Sequence, residues 1–242
     1  MRISPLKIVP VVYLVLVMLC MSALFSLGCS RDPEQRAAYK QFLEELLPRE
    51  ARQPLPALTA EQTAAFGPYA LSYQALYDFN RKMTESVDGC AKHMTVISEN
   101  VYVPRDIVEH MSEIAAAREF IADQPALWEE DLAALEAFKA DLHLHADVAP
   151  LYELLYTKYT EPARRVVPLL HAMQDFLDSN LELARFLSDN ADAVEFQGNT
   201  IVFNDAPLQE QANAILANIN TRARELYWRE NELNEYILLN RN

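Results

Sequence analysis

The chain of 242 residues predicts a mainly α-helical fold, an elongated antiparallel bundle of long helices with one small β-hairpin. Three observations predict it. Only four glycines occur, apolar residues recur three and four positions apart along most of the chain, and one Gly-Asn pair separates two short β-rich runs. A spacing of three and four is the period of an α-helix, whereas two β-rich runs around Gly-Asn are typical of a hairpin.

The first thirty residues have the pattern of a bacterial lipoprotein signal. Arg2 and Lys7 form a basic start, residues 8–24 are apolar, and Leu27-Gly28-Cys29-Ser30 follows. A basic start, an apolar run and small residues before a cleavage point are the parts of a secretory signal. We therefore expect residues 1–28 to be removed.

Cys29 is the predicted site of lipid attachment. In the lipoprotein pattern this thiol receives a diacylglycerol and the new amino terminus is acylated, and each buried CH₂ contributes about 0.8 kcal/mol to membrane binding. Ser26 stands where the pattern prefers leucine, and Cys20 is a weaker candidate because the large Leu19 precedes it. The alternative is an uncleaved membrane helix, since the apolar run approaches the roughly 20 residues that span a bilayer.

Residues 29–242 are predicted to form a single domain. Loss of Arg2 and Lys7 changes the formal charge from −14 to −16, which argues against binding to nucleic-acid phosphates and to anionic lipid surfaces. The membrane is therefore expected as a partner through the lipid anchor alone. Ser30, directly after the acylated cysteine, favours the inner leaflet of the outer membrane, facing the periplasm.

The first half of this domain predicts helices with clear start and stop residues. Asp32-Pro33 begins a helix that Pro48 ends, and the capping-box sequence Thr59–Gln62 begins a short one that ends at Gly67. A long helix then starts at Pro68 and keeps its apolar spacing through Gly89. Pro104 and Pro125 each begin a further segment, and these two segments suggest an antiparallel pair.

The second half contains the hairpin. Pro150 and Pro162 are expected to interrupt the chain, and Pro168 to kink the apolar stripe around it. Residues 194–203 then predict two strands joined at Gly198-Asn199, and Pro207 begins a closing helix. An isolated hairpin is only marginally stable, so its apolar side chains are expected to pack on the bundle.

Several blocks resemble the YiaF-like family of uncharacterised Gram-negative lipoproteins. The blocks are Gln35-Arg36-Ala37 with Phe42-Leu43, residues 58–62, Phe66-Gly67-Pro68 with Tyr73 and Leu76-Tyr77, and the hairpin at Gly198. The run from Leu58 to Tyr77 is the most specific part. The resemblance implies a lipoprotein with a domain of unknown function, and it transfers no catalytic or ligand-binding residue.

The densest group of possible metal ligands is Asp141-Leu142-His143-Leu144-His145-Ala146-Asp147. On a helix, Asp141 would meet His145 and His143 would meet Asp147, so that the two histidines would point in different directions. Because zinc requires convergent ligands, we predict solvated pairs at a helix end and no metal site.

The remaining candidate residues are also better explained by core packing than by catalysis or ligand binding. Cys90 and His93 would be neighbours on a helix, but burial of the thiol in an apolar seam is the favoured interpretation, because no third catalytic partner lies nearby. Two tyrosine strips at helical spacing predict core packing, with a peptide or lipid groove as the alternative. These strips are Tyr69, Tyr73 and Tyr77, and Tyr152, Tyr156 and Tyr159.

The sequence contains neither a nucleophile elbow nor a phosphate-binding or dinucleotide-binding glycine pattern. We therefore predict no catalytic residue, no metal and no cofactor, and we expect a non-catalytic interaction or scaffold protein with an envelope protein as its partner. Two other classes stay open. One is a binding module for a small apolar ligand or unfolded peptide between helices, and the other is an enzyme whose site is assembled from distant residues.

Overall fold

The computed structural model describes residues 31–50 and 53–239; the predicted signal and Cys29 lie outside this part. The mainly α-helical class and the single antiparallel hairpin are confirmed. The elements in chain order are α1 (Asp32–Leu46), α2 (Ala60–Phe66), α3 (Ala70–Asn100), α4 (Pro104–Glu109), α5 (Met111–Ala122), α6 (Gln124–Ala140), α7 (Ala149–Asp189), β1 (Val194–Gln197), β2 (Thr200–Phe203) and α8 (Ala206–Leu239).

Local sequence determines several of these boundaries. The capping box before α2 is formed in both directions, because the Gln62 amide donates to Thr59 Oγ1 at 3.1 Å and the Thr59 amide donates to Gln62 Oε1 at 2.9 Å. Gly67 follows α2 at a φ of +53°, a backbone conformation that glycine adopts without steric cost. The segment that begins at Pro104 is two helices, because the backbone leaves the helical region at His110 (φ −106°, ψ 24°).

Helix α7 is the central element of the bundle. Its 41 residues span about 60 Å at 1.5 Å per residue, and it contacts α1, α3, α4, α5, α6 and α8. The expected interruption at Pro162 is wrong, since α7 runs through both Pro162 and Pro168. A proline inside a helix costs about 3 kcal/mol, and burial of side chains all along α7, including Tyr159, Ala163, Val167 and Leu170, offsets that cost.

The long helices alternate in direction. Helix α3 runs parallel to α7, because its start meets the start of α7 through Tyr152 Oη and the carbonyl of Ser72, 3.1 Å apart. Helix α8 runs antiparallel to α7, since Asn218 lies beside Ser179 and Glu232 lies beside Arg165. Helices α5 and α6 also return antiparallel to α7, with ion pairs Arg118–Asp178 and Lys139–Glu153. The segments that begin at Pro104 and Pro125 therefore run in the same direction, and the expected antiparallel pair between them is wrong. The result is an elongated up-and-down bundle, as predicted.

The two ends of the bundle differ. At one end, named here the α1 end, Tyr69 Oη donates to Asp32 Oδ1 at 3.0 Å and Arg36 pairs with Asp147 at 3.6 Å. These contacts join the start of α1 to the turn before α3 and to the loop before α7. The opposite end, named the hairpin end, carries the C-terminus of α7 and the two strands.

The hairpin has the predicted register, with Val194 opposite Phe203 and Gln197 opposite Thr200. As expected, the hairpin packs against the core through Val194, Phe196, Ile201 and Phe203, whereas Val202 is exposed. Phe203 meets Phe186 of α7 with ring centroids 6.0 Å apart, and the Arg105 guanidinium lies 5.3 Å from the centroid of the Phe196 ring. The sheet is therefore attached to both α7 and α4.

Candidate functional site

The segment from Asp141 to Asp147 is not helical, so the expected helical pairs are wrong. Helix α6 ends at Ala140 and α7 begins at Ala149. Between them Leu142 and Leu144 are half-buried against the core, while His143 and His145 are exposed. Alternation of buried and exposed residues is the pattern of extended backbone, and it is already present in the order Leu-His-Leu-His.

The non-helical backbone changes the partners of the two histidines. His145 Nδ1 lies 2.5 Å from Asp147 Oδ1, and His143 Nδ1 lies 2.9 Å from the carbonyl oxygen of Asp141. Burial opposes ionisation of Asp147, but the hydrogen bond from His145 and the charge of Arg36 outweigh it and hold the pKa of the Asp147 carboxyl below its usual value. This loop is a polar cluster at the α1 end. Within the described ranges, no three His, Cys, Asp or Glu side chains are grouped so that they could hold a metal ion.

Cys90 is 4% exposed, which confirms burial of its thiol. The pKa of the Cys90 thiol is raised to about 11. Burial is the main cause, and a hydrogen bond with Ser86 opposes the increase only in part. The thiolate is the nucleophilic form of cysteine, so Cys90 is unreactive near neutral pH. His93 stacks on Phe120, with ring centroids 4.8 Å apart.

The tyrosine strips pack mainly in the core. Tyr73, Tyr152, Tyr156 and Tyr159 are buried, whereas Tyr69 and Tyr77 are half-buried. Buried hydroxyls donate to backbone carbonyls: Tyr73 to Pro56 at 2.6 Å and Tyr159 to Gln53 at 3.1 Å. These bonds hold both rings between helices, and the Tyr159 ring also forms part of the wall of an apolar cavity.

Tyr156 differs because its buried hydroxyl has no hydrogen-bond partner among the described residues. Its ring lies under Lys139, whose Nζ is 4.1 Å from the ring centroid, beside a pocket of about 320 Å³ that Arg164 also lines. Each cation is already paired, Lys139 with Glu153 and Arg164 with Glu136. Burial is the main cause that raises the pKa of the Tyr156 phenol, and the negative charge of Glu136 is the second. The hydroxyl therefore keeps its proton near neutral pH and cannot act as a base.

Two apolar cavities lie along the seam where α8 closes the bundle. The distal cavity, of about 300 Å³, lies in the half of the bundle nearer the hairpin, and residues of α3, α4, α7 and α8 line it. Its walls include Ile97, Ile107, Phe176, Leu216 and Ile219. The cavity opens to the surface beside Tyr102, whose side chain is 75% exposed.

The rim of the distal cavity is a short extended segment between α3 and α4, Val101–Val103. Asp106 fixes this segment, since its Oδ2 accepts hydrogen bonds from the amides of Tyr102 (2.8 Å) and Val103 (3.0 Å). These two bonds lower the pKa of the Asp106 carboxyl. The carboxylate therefore orders the rim at neutral pH, and the cavity is pre-formed.

Asn180 supplies a polar group within the apolar walls of the distal cavity. The residue is 5% exposed, and its Nδ2 donates to the carbonyl oxygen of Phe176 at 2.7 Å. Its Oδ1 accepts no hydrogen bond from the described residues. The oxygen is not fully shielded from solvent, so it can accept a hydrogen bond from water or from a ligand in the cavity.

The proximal cavity, of about 290 Å³, lies nearer the α1 end and is lined by α3, α6, α7 and the last turns of α8. Asn80 and Trp128 in its lining have partners inside the protein, whereas Asp88 is exposed to solvent. Asn80 Oδ1 accepts from the amide of Leu55 at 2.8 Å, and Trp128 Nε1 donates to Ser86 Oγ at 2.8 Å. The open acceptor of the proximal cavity is thus an exposed carboxylate, whereas that of the distal cavity is the amide oxygen of the buried Asn180.

The sequence analysis did not identify the distal cavity. The sequence carries no clear trace of it, because Asn180 lies beside the buried Leu181, which continues the apolar spacing from Leu177 to Ala184. The facing residues come from three other helices, and their convergence depends on the fold.

The structure thus defines a long helical bundle with a small hairpin and an open apolar cavity beside its last helix. Residues 12–234 match the family model described as "Protein of unknown function (DUF3053)". The chain belongs to this family, and the resemblance found in its sequence blocks is confirmed.

Among curated proteins, the chain is similar to "Uncharacterized protein YiaF" of Escherichia coli strain K12. The two are 27% identical over 195 residues, which cover 78% of this chain and 81% of the relative. The YiaF proteins of Escherichia coli O157:H7 and Shigella flexneri match to the same extent. No solved structure matches the chain. Within the described residues, none of the helices combines the length and the apolar composition needed to cross a bilayer.

Proposed function

We propose that this protein is a lipid-anchored envelope protein that faces the periplasm and acts without catalysis, through binding to an envelope protein partner. The sequence of residues 1–30, with Cys29 as the acylated residue, is the basis of the anchor. The chemistry of the domain agrees with a non-catalytic role, because the Cys90 thiol and the Tyr156 phenol both keep their protons near neutral pH.

The observation that carries the proposal is the tight attachment of α1. The helix begins at Asp32, three residues after Cys29, and its first turns are tied to the bundle by the Asp32–Tyr69 and Arg36–Asp147 contacts. Three residues span at most about 10 Å. A lipid on Cys29 would therefore hold the α1 end against the membrane, with little freedom for the domain to move away.

Under this proposal, the partner would bind the domain at a distance from the membrane. The distal cavity lies beside Phe176 and Asn180, about 30 residues along α7 from its start. At 1.5 Å per residue that is about 45 Å from the α1 end. Tyr102 is exposed at the rim of this cavity, and Tyr227 and Trp228 are exposed about halfway along α7, between the Asn218–Ser179 and Glu232–Arg165 contacts. Such aromatic residues are favoured in protein interfaces.

The anchor is tested by labelling cells with a palmitate analogue and comparing Cys29→Ala with Cys20→Ala. We expect Cys29→Ala to lose the label and Cys20→Ala to keep it, and separation of the inner and outer membranes then locates the labelled protein. Unchanged labelling of Cys29→Ala would contradict the anchor.

The interaction is tested in intact cells by placing a photo-reactive residue at Tyr102 or at Trp228, with Leu154 near the α1 end as the matched exposed control position. We expect reproducible cross-links from the first two positions to one or two envelope proteins, identified by mass spectrometry. Links only between copies of this chain, or none at all, would contradict the proposed partner.

A further inference from the structure

We propose that the distal cavity is a binding site for a small, mainly apolar molecule that presents one hydrogen-bond donor, such as an aromatic ring bearing a hydroxyl or an N–H group. This inference concerns the folded domain alone and does not depend on the lipid anchor. The cavity, Asn180 and the ordered rim carry it together.

The size of the cavity limits the ligand. About 300 Å³ is the lower end of the range for small-molecule pockets and equals the volume of about ten water molecules. On α7 the cavity reaches from Phe176 to Asn180, and on α8 from Leu216 to Ile219. Each of these stretches is about one helical turn, roughly 5 Å, whereas at the end of α3 the lining runs from Met94 to Val101, about two turns or roughly 10 Å. An extended peptide of three residues is also about 10 Å long, so the small volume of the cavity, and not its length, favours a single ring over a peptide segment.

The side chains that line the cavity limit the chemical character of the ligand. Ile97, Ile107, Phe176 and Leu216 offer apolar surface, which favours a ring over a charged group. Asn180 Nδ2 is held by the carbonyl of Phe176, so the side chain presents its oxygen as the free polar atom. A ligand donor would satisfy this oxygen, whereas a ligand without a donor would leave it unpaired in a drier environment.

The ordered rim indicates that the pocket is formed before a ligand binds. Asp106 holds the amides of Tyr102 and Val103, and Pro104 fixes the backbone at the start of α4. A pre-formed pocket spares the ligand the entropy cost of ordering a loop. The exposed ring of Tyr102 stands beside the opening.

The test uses the full chain in lipid nanodiscs, with [¹³C-methyl]methionine as the reporter and phenol and benzene as a matched pair of probes. Met94 lines the distal cavity and Met83 lines the proximal cavity, so the two methyl signals distinguish the sites. We expect phenol to shift the Met94 signal in a saturable manner, and benzene to do so about tenfold more weakly. Met83 should change little with either probe.

Two variants test the role of the amide. Asn180→Leu should abolish the preference for phenol while benzene still binds, whereas Asn218→Leu, a change of the same kind on α8 outside the cavity lining, should keep the preference. Leu216→Trp should fill the cavity and remove binding of both probes, with circular dichroism as the check on folding.

The wild-type comparison needs no variant and can overturn the proposal by itself. Equal shifts of Met94 by phenol and benzene would remove the role of Asn180. Equal shifts of Met83 and Met94 would mean non-specific partitioning, and no shift of Met94 up to millimolar probe would mean that the cavity is no binding site for this class of molecule.

Discussion

The ring of Phe120 packs directly on Gly89, so closely that a Cβ at position 89 would lie 2.3 Å from Cζ of the ring. Gly89 is inside α3 and Phe120 is on α5, and Phe120 also stacks on His93 one turn away. Glycine in a helix interior normally costs about 1 kcal/mol relative to alanine. Here the missing side chain lets two helices approach each other.

Gly89→Ala is expected to destabilise the protein by about 1 kcal/mol, measured by equilibrium urea unfolding. Overpacking costs about 1–3 kcal/mol, and the gain of about 1 kcal/mol in helix propensity only partly offsets it. In a Phe120→Ala background the same substitution should instead stabilise the protein, because the obstructing ring is gone. Stabilisation in both backgrounds would contradict the close packing.

Gly198→Ala is expected to destabilise the hairpin by about 1 kcal/mol for a different reason. Gly198 has a φ of +62°, and a Cβ there would meet nothing within 4 Å. The cost is therefore entirely that of left-handed backbone, about 1–2 kcal/mol for most residues and less for asparagine. Gly198→Asn is the matched control, and its loss of stability should be less than half that of Gly198→Ala. Equal losses of stability in the two variants would contradict this explanation.

Stability is expected to fall above pH 10 because of buried tyrosines. Burial raises the pKa values of the Tyr39, Tyr73 and Tyr152 phenols above their ordinary value near 10. Above pH 10 the unfolded chain loses these protons while the folded protein retains them, so the stabilisation is complete below pH 10 and is lost as the pH rises. Each such tyrosine contributes about 1.4 kcal/mol per pH unit in that window.

The comparison of Tyr73→Phe with Tyr102→Phe isolates this effect. Tyr73 is fully buried and Tyr102 is 75% exposed. We expect the melting temperature of Tyr73→Phe to decline less steeply between pH 10 and 11.5 than that of the wild type, while Tyr102→Phe follows the wild type. Identical slopes for all three proteins would show that tyrosine burial does not control the alkaline transition.

Much of the fold was predictable because the signals that determine it are local. The capping box at Thr59, the unbroken spacing of α3 and the hairpin around Gly198 all appear in the structure where the sequence places them. Each of these features depends on residues that are close in sequence, and the packing of the bundle does not oppose it. Pro162 is different, because the local rule favours an interruption and burial along α7 overrides it.

The candidate site was less predictable because it depends on distant residues. The histidine loop was misread as helical because two candidate ligand pairs happen to stand four residues apart, although Leu142 and Leu144 alternate with the histidines. The distal cavity requires a gap between α3, α4, α7 and α8. Asn180 contributes to it from one helix, but a polar residue beside an apolar stripe does not reveal which residues face it.

Cys90 is expected to resist alkylation in the folded protein. The thiol is 4% exposed and burial raises its pKa to about 11, so at pH 8 both access and thiolate fraction are low. Iodoacetamide at pH 8 should modify Cys90 at least about a hundredfold faster in 8 M urea than in buffer, as followed by mass spectrometry of the peptide that contains it. Ser86→Ala removes a hydrogen bond that lowers the pKa of the thiol, and it should leave the native rate low or lower it further. Rapid modification without urea would mean that the contact between α3 and α5 opens readily, which would also weaken the explanation given for Gly89.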